Sequence, residues 1–346
     1  MPTEVLVVDG RHPDPAAVGR AAEILRAGGL VAFPTETVYG LGADASNAAA
    51  VGRIFTAKGR PADNPLIVHV ADAEAAIALA RAVPPKARRL MQAFWPGPLT
   101  LLLPKAAHVA DGVTRGLPTV GVRVPDHPVA LALLRAAGVP VAAPSANVSG
   151  KPSPTTAAHV LADLDARIDA LLDGGPTGVG VESTVLDMTA EPPVILRPGG
   201  LSRERIEEVI GQVEVAQGEA EAHAAPRSPG MKYRHYAPQA RLLLFTGEPA
   251  PVQAALGRRL RELLAAKTAV GVLCARESAG AYPGAVIADL GARANPAEAA
   301  ARLYAGLRAL DEKAVDVILA EGFFEQGLGL AVMNRLRRAA AEVIEV

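Results

Sequence analysis

Short apolar runs alternate along the first two hundred residues with longer stretches that carry apolar side chains on one face only. Runs bounded by glycine, proline and small polar residues read as strands, and one-faced stretches read as helices. The pattern predicts strands over 6–8, 30–33, 66–70, 99–103, 119–124, 139–143, 184–187 and 194–196. Asp14 caps a helix that runs through Arg26 and is stopped by Gly28-Gly29. Asn47 caps a second, running toward Ala57 with Val51, Ile54 and Phe55 on one face, and a third covers 128–136. Strands and helices mixed in this way form an α/β domain with a substantial sheet, reaching to about Gly211.

A new alternation starts at Arg241, with strands over 242–245, 270–274 and 315–320 and helices over 252–264, 296–310 and 330–340. This spacing predicts a smaller parallel, Rossmann-like α/β domain. No G-x-G-x-x-G follows its first strand, so a dinucleotide site there is unsupported. The expected organisation is a first domain over 1–211, a linker over 212–239 and a second domain over 240–346. The linker begins polar and alanine-rich, then reads Ser228-Pro229-Gly230-Met231-Lys232-Tyr233-Arg234-His235-Tyr236-Ala237-Pro238. A plain spacer needs no such concentration of tyrosine, cations and histidine.

Composition narrows the function. Among 346 residues, 35 are Lys or Arg and 36 are Asp or Glu, giving a formal net charge of −1. A protein that binds nucleic acid by neutralising phosphates is more basic than this. Cys274 is the single cysteine, which excludes a disulfide framework and a cysteine zinc site. The histidines show no close pair at metal-ligand spacing. There is no basic-then-apolar leader and no apolar run of the roughly 18 residues a membrane span needs, so the expectation is a cytoplasmic protein.

The chemistry concentrates in loops. Pro34-Thr35-Glu36-Thr37-Val38-Tyr39-Gly40-Leu41-Gly42 follows an apolar strand, and Lys58-Gly59-Arg60-Pro61-Ala62-Asp63-Asn64-Pro65 follows a helix. Glycine, hydroxyls, amide and positive charge in consecutive loops suit an anionic ligand such as a phosphate ester, although solvated surface loops share that composition. Pro144-Ser145-Ala146-Asn147-Val148-Ser149-Gly150-Lys151-Pro152-Ser153 lies at the C-terminal end of a strand, where open α/β sheets bind ligands. Arg123 sits between two valines of a strand, facing either solvent or a cleft. Ser183 and Arg197 each stand beside a strand in the same way. No G-x-S-x-G elbow or Ser-His-Asp context supports a nucleophile. The chain's equipment is charge and hydrogen-bond donors for electrostatic stabilisation and positioning.

Taken in order, residues 34–42, 58–65, 121–125, 144–147, 182–184 and 197–199, with the linker motif and a second domain after them, resemble the YrdC family of L-threonylcarbamoyladenylate synthases in its two-domain form. The resemblance covers nearly the whole chain. It implies a twisted, open mixed sheet with a concave cleft, followed by a Rossmann-like domain. It also implies a reaction: L-threonine, bicarbonate and ATP give threonylcarbamoyl-AMP and pyrophosphate, with Mg²⁺ accompanying ATP and no side chain as a direct metal ligand. Other proteins then transfer the threonylcarbamoyl group to a tRNA adenosine.

By the same resemblance Lys58, Arg60, Asn64, Ser145, Ser153, Arg197 and Tyr236 take ATP, Tyr236 from a linker folded over the cleft. Thr35, His69, Thr119, Arg123 and Ser183 take L-threonine, with Arg123 on its carboxylate, and Asn147 lines the cleft. Lys58, Arg60 and Arg123 are the expected catalytic set. Two alternatives stand beside this reading. A carbamoyl-transfer enzyme would bring extra domains and Cys-x-x-Cys pairs that this sequence lacks. An RNA-binding module would need a broad basic face.

Overall fold

The strand–helix alternation of the first two hundred residues folds into one mixed sheet. A computed structural model describes residues 2–216 and 235–346, which fall into two compact units. The first comprises 2–149, 153–178 and 182–216, and the second 150–152, 179–181 and 235–346. The expected linker motif lies largely outside the described residues.

The first unit carries β1 (Glu4–Val7), β2 (Val31–Pro34), β3 (Tyr39–Asp44), β4 (Ile67–His69), β5 (Leu99–Pro104), β6 (Thr119–Arg123), β7 (Val141–Ala142), β8 (Ala170–Asp173), β9 (Thr184–Asp187), β10 (Val194–Arg197) and β11 (Glu214–Val215). They line up as β1-β8-β2-β3-β7-β4-β6-β5-β9-β10-β11. Parallel pairs such as β4–β6 and β5–β9 alternate with antiparallel ones such as β2–β3 and β5–β6. Its helices are α1 (Pro15–Arg26), α2 (Ala48–Lys58), α3 (Ala73–Ala78), α4 (Pro85–Phe94), α5 (Asp111–Thr114), α6 (Pro128–Ala137), α7 (Ala157–Leu164) and α8 (Arg203–Ile210).

Apolar cores lie on both sides of the sheet, which is why its strands read as unbroken apolar runs. Val31 and Phe33 of β2 pack with Ala22 and Leu25 of α1 and Leu133 of α6. Ala32, on the opposite face, joins the larger core with Leu41, Ile54 of α2 and Leu90 of α4. The caps agree with the sequence: Asp14 accepts from Ala16 N, and Asn47 from Ala49 N and Ala50 N.

Several elements differ from expectation. The segment 34–42 is a loop only over 35–38; Tyr39–Asp44 is a strand, with Pro34 opposite Tyr39 and Phe33 opposite Gly40. Gly40 and Gly42 hide its alternation because they carry no side chain. At Gly42 a Cβ would lie 2.8 Å from Val141 Cγ1 and 2.9 Å from Phe33 Cε1, so the strand needs the gap. The strand expected over 139–143 contracts to Val141–Ala142, and β8 went unread. Residues 214–215, expected in the linker, pair with β10 as the edge strand β11.

In the second unit β12 (Arg241–Thr246), β13 (Val270–Cys274), β14 (Val286–Asp289), β15 (Val317–Glu321) and β16 (Glu342–Glu345) form a sheet in the order β14-β13-β15-β12-β16. Every pairing is parallel. The helices are α9 (Pro249–Ala265), α10 (Pro296–Glu312) and α11 (Gly329–Ala339). The unread strands β14 and β16 are the two edges, where exposed residues erase the apolar run. Among the described residues no helix is long and apolar enough to cross a membrane.

Two glycines give opposite predictions. A Cβ at Gly199 would stand 2.3 Å from Glu182 O and 2.4 Å from Thr184 N, both backbone atoms of the neighbouring segment. Gly199→Ala should therefore destabilise by about 1–3 kcal/mol. Gly52, inside α2, has open space around its Cα, so Gly52→Ala should stabilise by up to about 1 kcal/mol. Urea denaturation of both variants checks the pair.

Candidate active site

Most of the candidate side chains stand at strand ends. Thr35 follows β2, His69 closes β4, Thr119 opens and Arg123 closes β6, Ser183 precedes β9, and Arg197 closes β10. Lys58 is the last residue of α2. Gly59, at φ 60°, ends that helix in the left-handed region, which most side chains disfavour. The turn leaves Lys58 buried and sends Arg60 into the following loop.

Lys58, only 1% exposed, donates from Nζ to Ser145 O and Asn147 O at 2.5 Å each, with Asn147 Oδ1 at 3.4 Å. Ser145 Oγ donates to Asn147 Oδ1 at 2.6 Å. Backbone bonds Leu41 N to Pro144 O and Ala146 N to Tyr39 O strap the same loop to β3. Burial pushes the Lys58 pKa well below its ordinary value, and the Arg60 charge adds to this, while Asp163 and Glu182 pull the other way. Ser153, also buried, donates to Glu182 Oε1 at 2.5 Å. Arg60 Nε and Nη2 donate to Asn64 O and Pro65 O, at 3.2 and 2.7 Å. The buried Asn64 Oδ1 has no hydrogen-bond partner among the described residues.

Arg197 is buried and donates to Ser183 O at 2.9 Å and Ser183 Oγ at 3.3 Å, while Ser183 Oγ shares a hydrogen bond of 2.8 Å with Thr100 Oγ1. Arg123 donates from Nε to Gly97 O at 3.3 Å and from Nη2 to Thr37 Oγ1 at 3.0 Å. The Glu36 carboxylate stands 2.6 Å from the same Nη2. Thr37 Oγ1 in turn lies 2.8 Å from Thr35 Oγ1, which donates to Val38 O and fixes the turn. Residues 97–100 therefore join two clusters, since Gly97 O meets Arg123 and Thr100 meets Ser183.

His69 is buried, with the Phe33 ring edge-on at 6.3 Å and Nδ1 unpartnered among the described residues. Burial, with the nearby Arg123 charge, pushes its pKa down to about 3, so the ring is neutral near pH 7. Thr119 is half-buried and lines a small cavity with Thr100, Gly121 and Val185. Tyr236 belongs to the second unit, where its backbone takes φ 63°, its ring stacks on Tyr304 at 5.6 Å and Arg335 lies over its face at 5.1 Å. Among the described residues no group of three or more His, Cys, Asp or Glu side chains is placed to hold a metal ion.

The Sua5–YciO–YrdC family model, described as telomere recombination, matches residues 23–199. A second, described as threonylcarbamoyl-AMP synthase C-terminal domain, matches 201–341. A Bacillus subtilis protein named threonylcarbamoyl-AMP synthase is 52% identical over 335 residues, 96% of each chain. A Pyrococcus abyssi protein of the same name is 50% identical, covering 92% of this chain and 93% of its own. The crystal structure of P. abyssi Sua5 complexed with L-threonine superposes with a TM-score of 0.95, at 48% identity, over 99% of this chain and 100% of that one. The chain belongs to the two-domain Sua5–YrdC family.

Within this family member, the structure joins Lys58 to Ser145 and Asn147, Arg60 to Asn64, Arg197 to Ser183, and Arg123 to the Thr35 turn. Sequence reasoning missed Glu36, Thr37, Gly97 and Thr100 as parts of the site. Glu36 and Thr37 lie inside the 34–42 motif, but only the ion contact of the one and the hydrogen bond of the other to Arg123 single them out. Gly97 and Thr100 act through a carbonyl and a shared hydroxyl contact, for which a sequence gives no signal.

The His69 environment predicts a pH dependence. Below pH 6.5 the unfolded chain binds a proton that folded His69 refuses until the pH nears 3. The unfolded state thus holds more protons in that window, and stability falls as the pH drops, by at most about 1.4 kcal/mol per pH unit from this group. Denaturation of the protein and of His69→Gln at pH 7, 6 and 5 should show a shallower loss in the variant.

Proposed function

We propose that this chain joins L-threonine, bicarbonate and ATP into L-threonylcarbamoyl-AMP and pyrophosphate. The observation that carries the reading is near-full-length identity of about half to proteins named for that product, together with a near-full-length match to P. abyssi Sua5, solved with L-threonine. The site's chemistry supports it. The threonine amine and bicarbonate give a carbamate and water. A carbamate oxygen then attacks the α-phosphorus, the bond to the β-phosphate oxygen breaks, and pyrophosphate leaves with the electron pair. Nucleophile and triphosphate are both anions, so catalysis consists of holding them in line and offsetting their repulsion.

Arg123 receives the threonine carboxylate, because a buried guanidinium offers paired donors matched to two oxygens. Thr119 stands at the opposite end of β6 from Arg123, on the small cavity it shares with Thr100, whereas Thr35 and Ser183 line the amino-acid side. Neutral His69 contributes a hydrogen bond there without adding charge. Arg60, Asn64, Ser145, Ser153 and Arg197 serve the nucleotide, with Asn147 lining the cleft. Lys58 acts in two ways: two carbonyl acceptors and the nearby Asp163 and Glu182 charges favour its ammonium against the burial that lowers its pKa, so that it adds positive potential, and its bonds to Ser145 O and Asn147 O hold the loop that presents the Ser145 hydroxyl.

Mg²⁺ is assigned to the triphosphate, whose oxygens it neutralises. Beside cations, amides and hydroxyls the nucleotide side holds the buried carboxylate of Glu182, which accepts from Ser153; one such carboxylate falls short of a protein-built site, so the metal would come in with its ligand. The product is a mixed anhydride that water destroys, so it passes to proteins that transfer the threonylcarbamoyl group to a tRNA adenosine.

Pyrophosphate release should need L-threonine, bicarbonate and Mg²⁺ together, and release indifferent to L-threonine contradicts the reading. Arg123→Lys keeps the charge but loses the fork, and should raise KM for L-threonine by about 10- to 100-fold. Lys58→Ala should lower kcat, because it releases the loop that carries Ser145. Steady-state kinetics with each substrate varied separates the two.

A further inference from the structure

One buried carboxylate has no place in this mechanism. Glu36 lies in the turn between β2 and β3, directly after Thr35. Its Oε2 stands 2.6 Å from Arg123 Nη2, and the two side chains are 13% and 5% exposed. Neither carboxylate oxygen has a hydrogen-bond partner among the described residues. The guanidinium hydrogen bonds described above go to Gly97 O and Thr37 Oγ1 instead. Charge holds this pair together, and directed hydrogen bonds do not.

The two partners have unequal stakes in that contact. Arg123 gains a counter-charge, without which a buried guanidinium is costly. Glu36 has given up hydration for one close ion contact, with the His127 ring as its other titratable neighbour, where a carboxylate ordinarily accepts several hydrogen bonds. Such a carboxylate is poorly held. The backbone beneath it is well held, since Thr35 Oγ1 accepts from Thr37 N and Val38 N and donates to Val38 O. Vacating Arg123 therefore calls for movement of the Glu36 side chain and not of the turn that carries it.

We propose that Glu36 is an internal competitor for the substrate's carboxylate, neutralising Arg123 until an amino-acid carboxylate displaces it. This positioning role rests on the reading that Arg123 receives the carboxylate of L-threonine. Two carboxylates cannot crowd one nitrogen without repulsion, so binding requires exchange. A ligand that meets the guanidinium fork with both oxygens outcompetes a side chain that makes one undirected contact. Anions that cannot do so are kept off Arg123. The apparent affinity for L-threonine is then lower than the intrinsic affinity, by the fraction of molecules in which Arg123 is vacated.

The test is calorimetric titration of L-threonine into the full chain and into Glu36→Gln, Glu36→Ala and Arg123→Ala, with steady-state kinetics alongside. Both Glu36 variants should bind L-threonine more tightly, by roughly three- to thirtyfold. Their KM for L-threonine should fall while KM for ATP stays constant, a split that a merely structural role does not produce. L-Threonine should also raise the melting temperature of Glu36→Gln by more than that of the parent chain. Unchanged binding in both Glu36 variants overturns the proposal. Weaker binding also overturns it and assigns Glu36 to the substrate's ammonium. If Arg123→Ala binds L-threonine as the parent does, the reading of Arg123 fails. If Arg123→Ala loses binding while the Glu36 variants match the parent, only the competitor role fails.

Discussion

Burial of positive charge is the constraint on which the first unit depends. Lys58, Arg123 and Arg197 are each at most 6% exposed, and an unsatisfied cation in such a place costs several kcal/mol. The fold meets that cost largely with backbone carbonyls. Ser145 O and Asn147 O face Lys58, Ser183 O faces Arg197, Gly97 O faces Arg123, and Asn64 O and Pro65 O face Arg60. A carbonyl satisfies hydrogen-bond donors without cancelling a full unit of charge, so positive potential persists for an anionic ligand. A carboxylate at each position would make a steadier fold and a poorer site for a triphosphate.

The sheet explains how carbonyls come to be available there. Carbonyls inside paired strands are committed to the ladder, whereas those at strand ends and in turns are not. Loops and strand ends therefore supply the oxygens, while the cations close helix α2 (Lys58) and strands β6 (Arg123) and β10 (Arg197). Glu36 stands apart even from the buried carboxylate of Glu182, which accepts from Ser153: it sets a full negative charge against Arg123 while receiving no hydrogen bond among the described residues. That asymmetry separates it from the carbonyl contacts around it.

Much of the fold was legible because the central strands are covered on both faces and read as apolar runs. Two helix starts were equally clear, as Asp14 and Asn47 make the bonds their positions announce, whereas α3, α4, α5, α7 and α8 were not expected although Asp72, Thr156 and Ser202 cap three of them. Among the strands, failures fall where side chains are missing or exposed, with the short buried β8 as the exception. Gly40 and Gly42 concealed β3, and the exposed edge strands β14 and β16 left no apolar run. For the site, residue types and order in the motifs marked the cations and hydroxyls. The pairings themselves were illegible, since Lys58 with Asn147 and Thr100 with Ser183 join positions more than 80 residues apart.

The central claim is that buried cations bring a carbamate oxygen onto the α-phosphorus of ATP. It is tested most directly by supplying ¹³C-bicarbonate with L-threonine, ATP and Mg²⁺ and following the adenylate product by mass spectrometry. The account predicts threonylcarbamoyl-AMP carrying one ¹³C, formed in step with pyrophosphate. Pyrophosphate accompanied only by AMP or unlabelled adenylates, under conditions that trap the labile product, would contradict it.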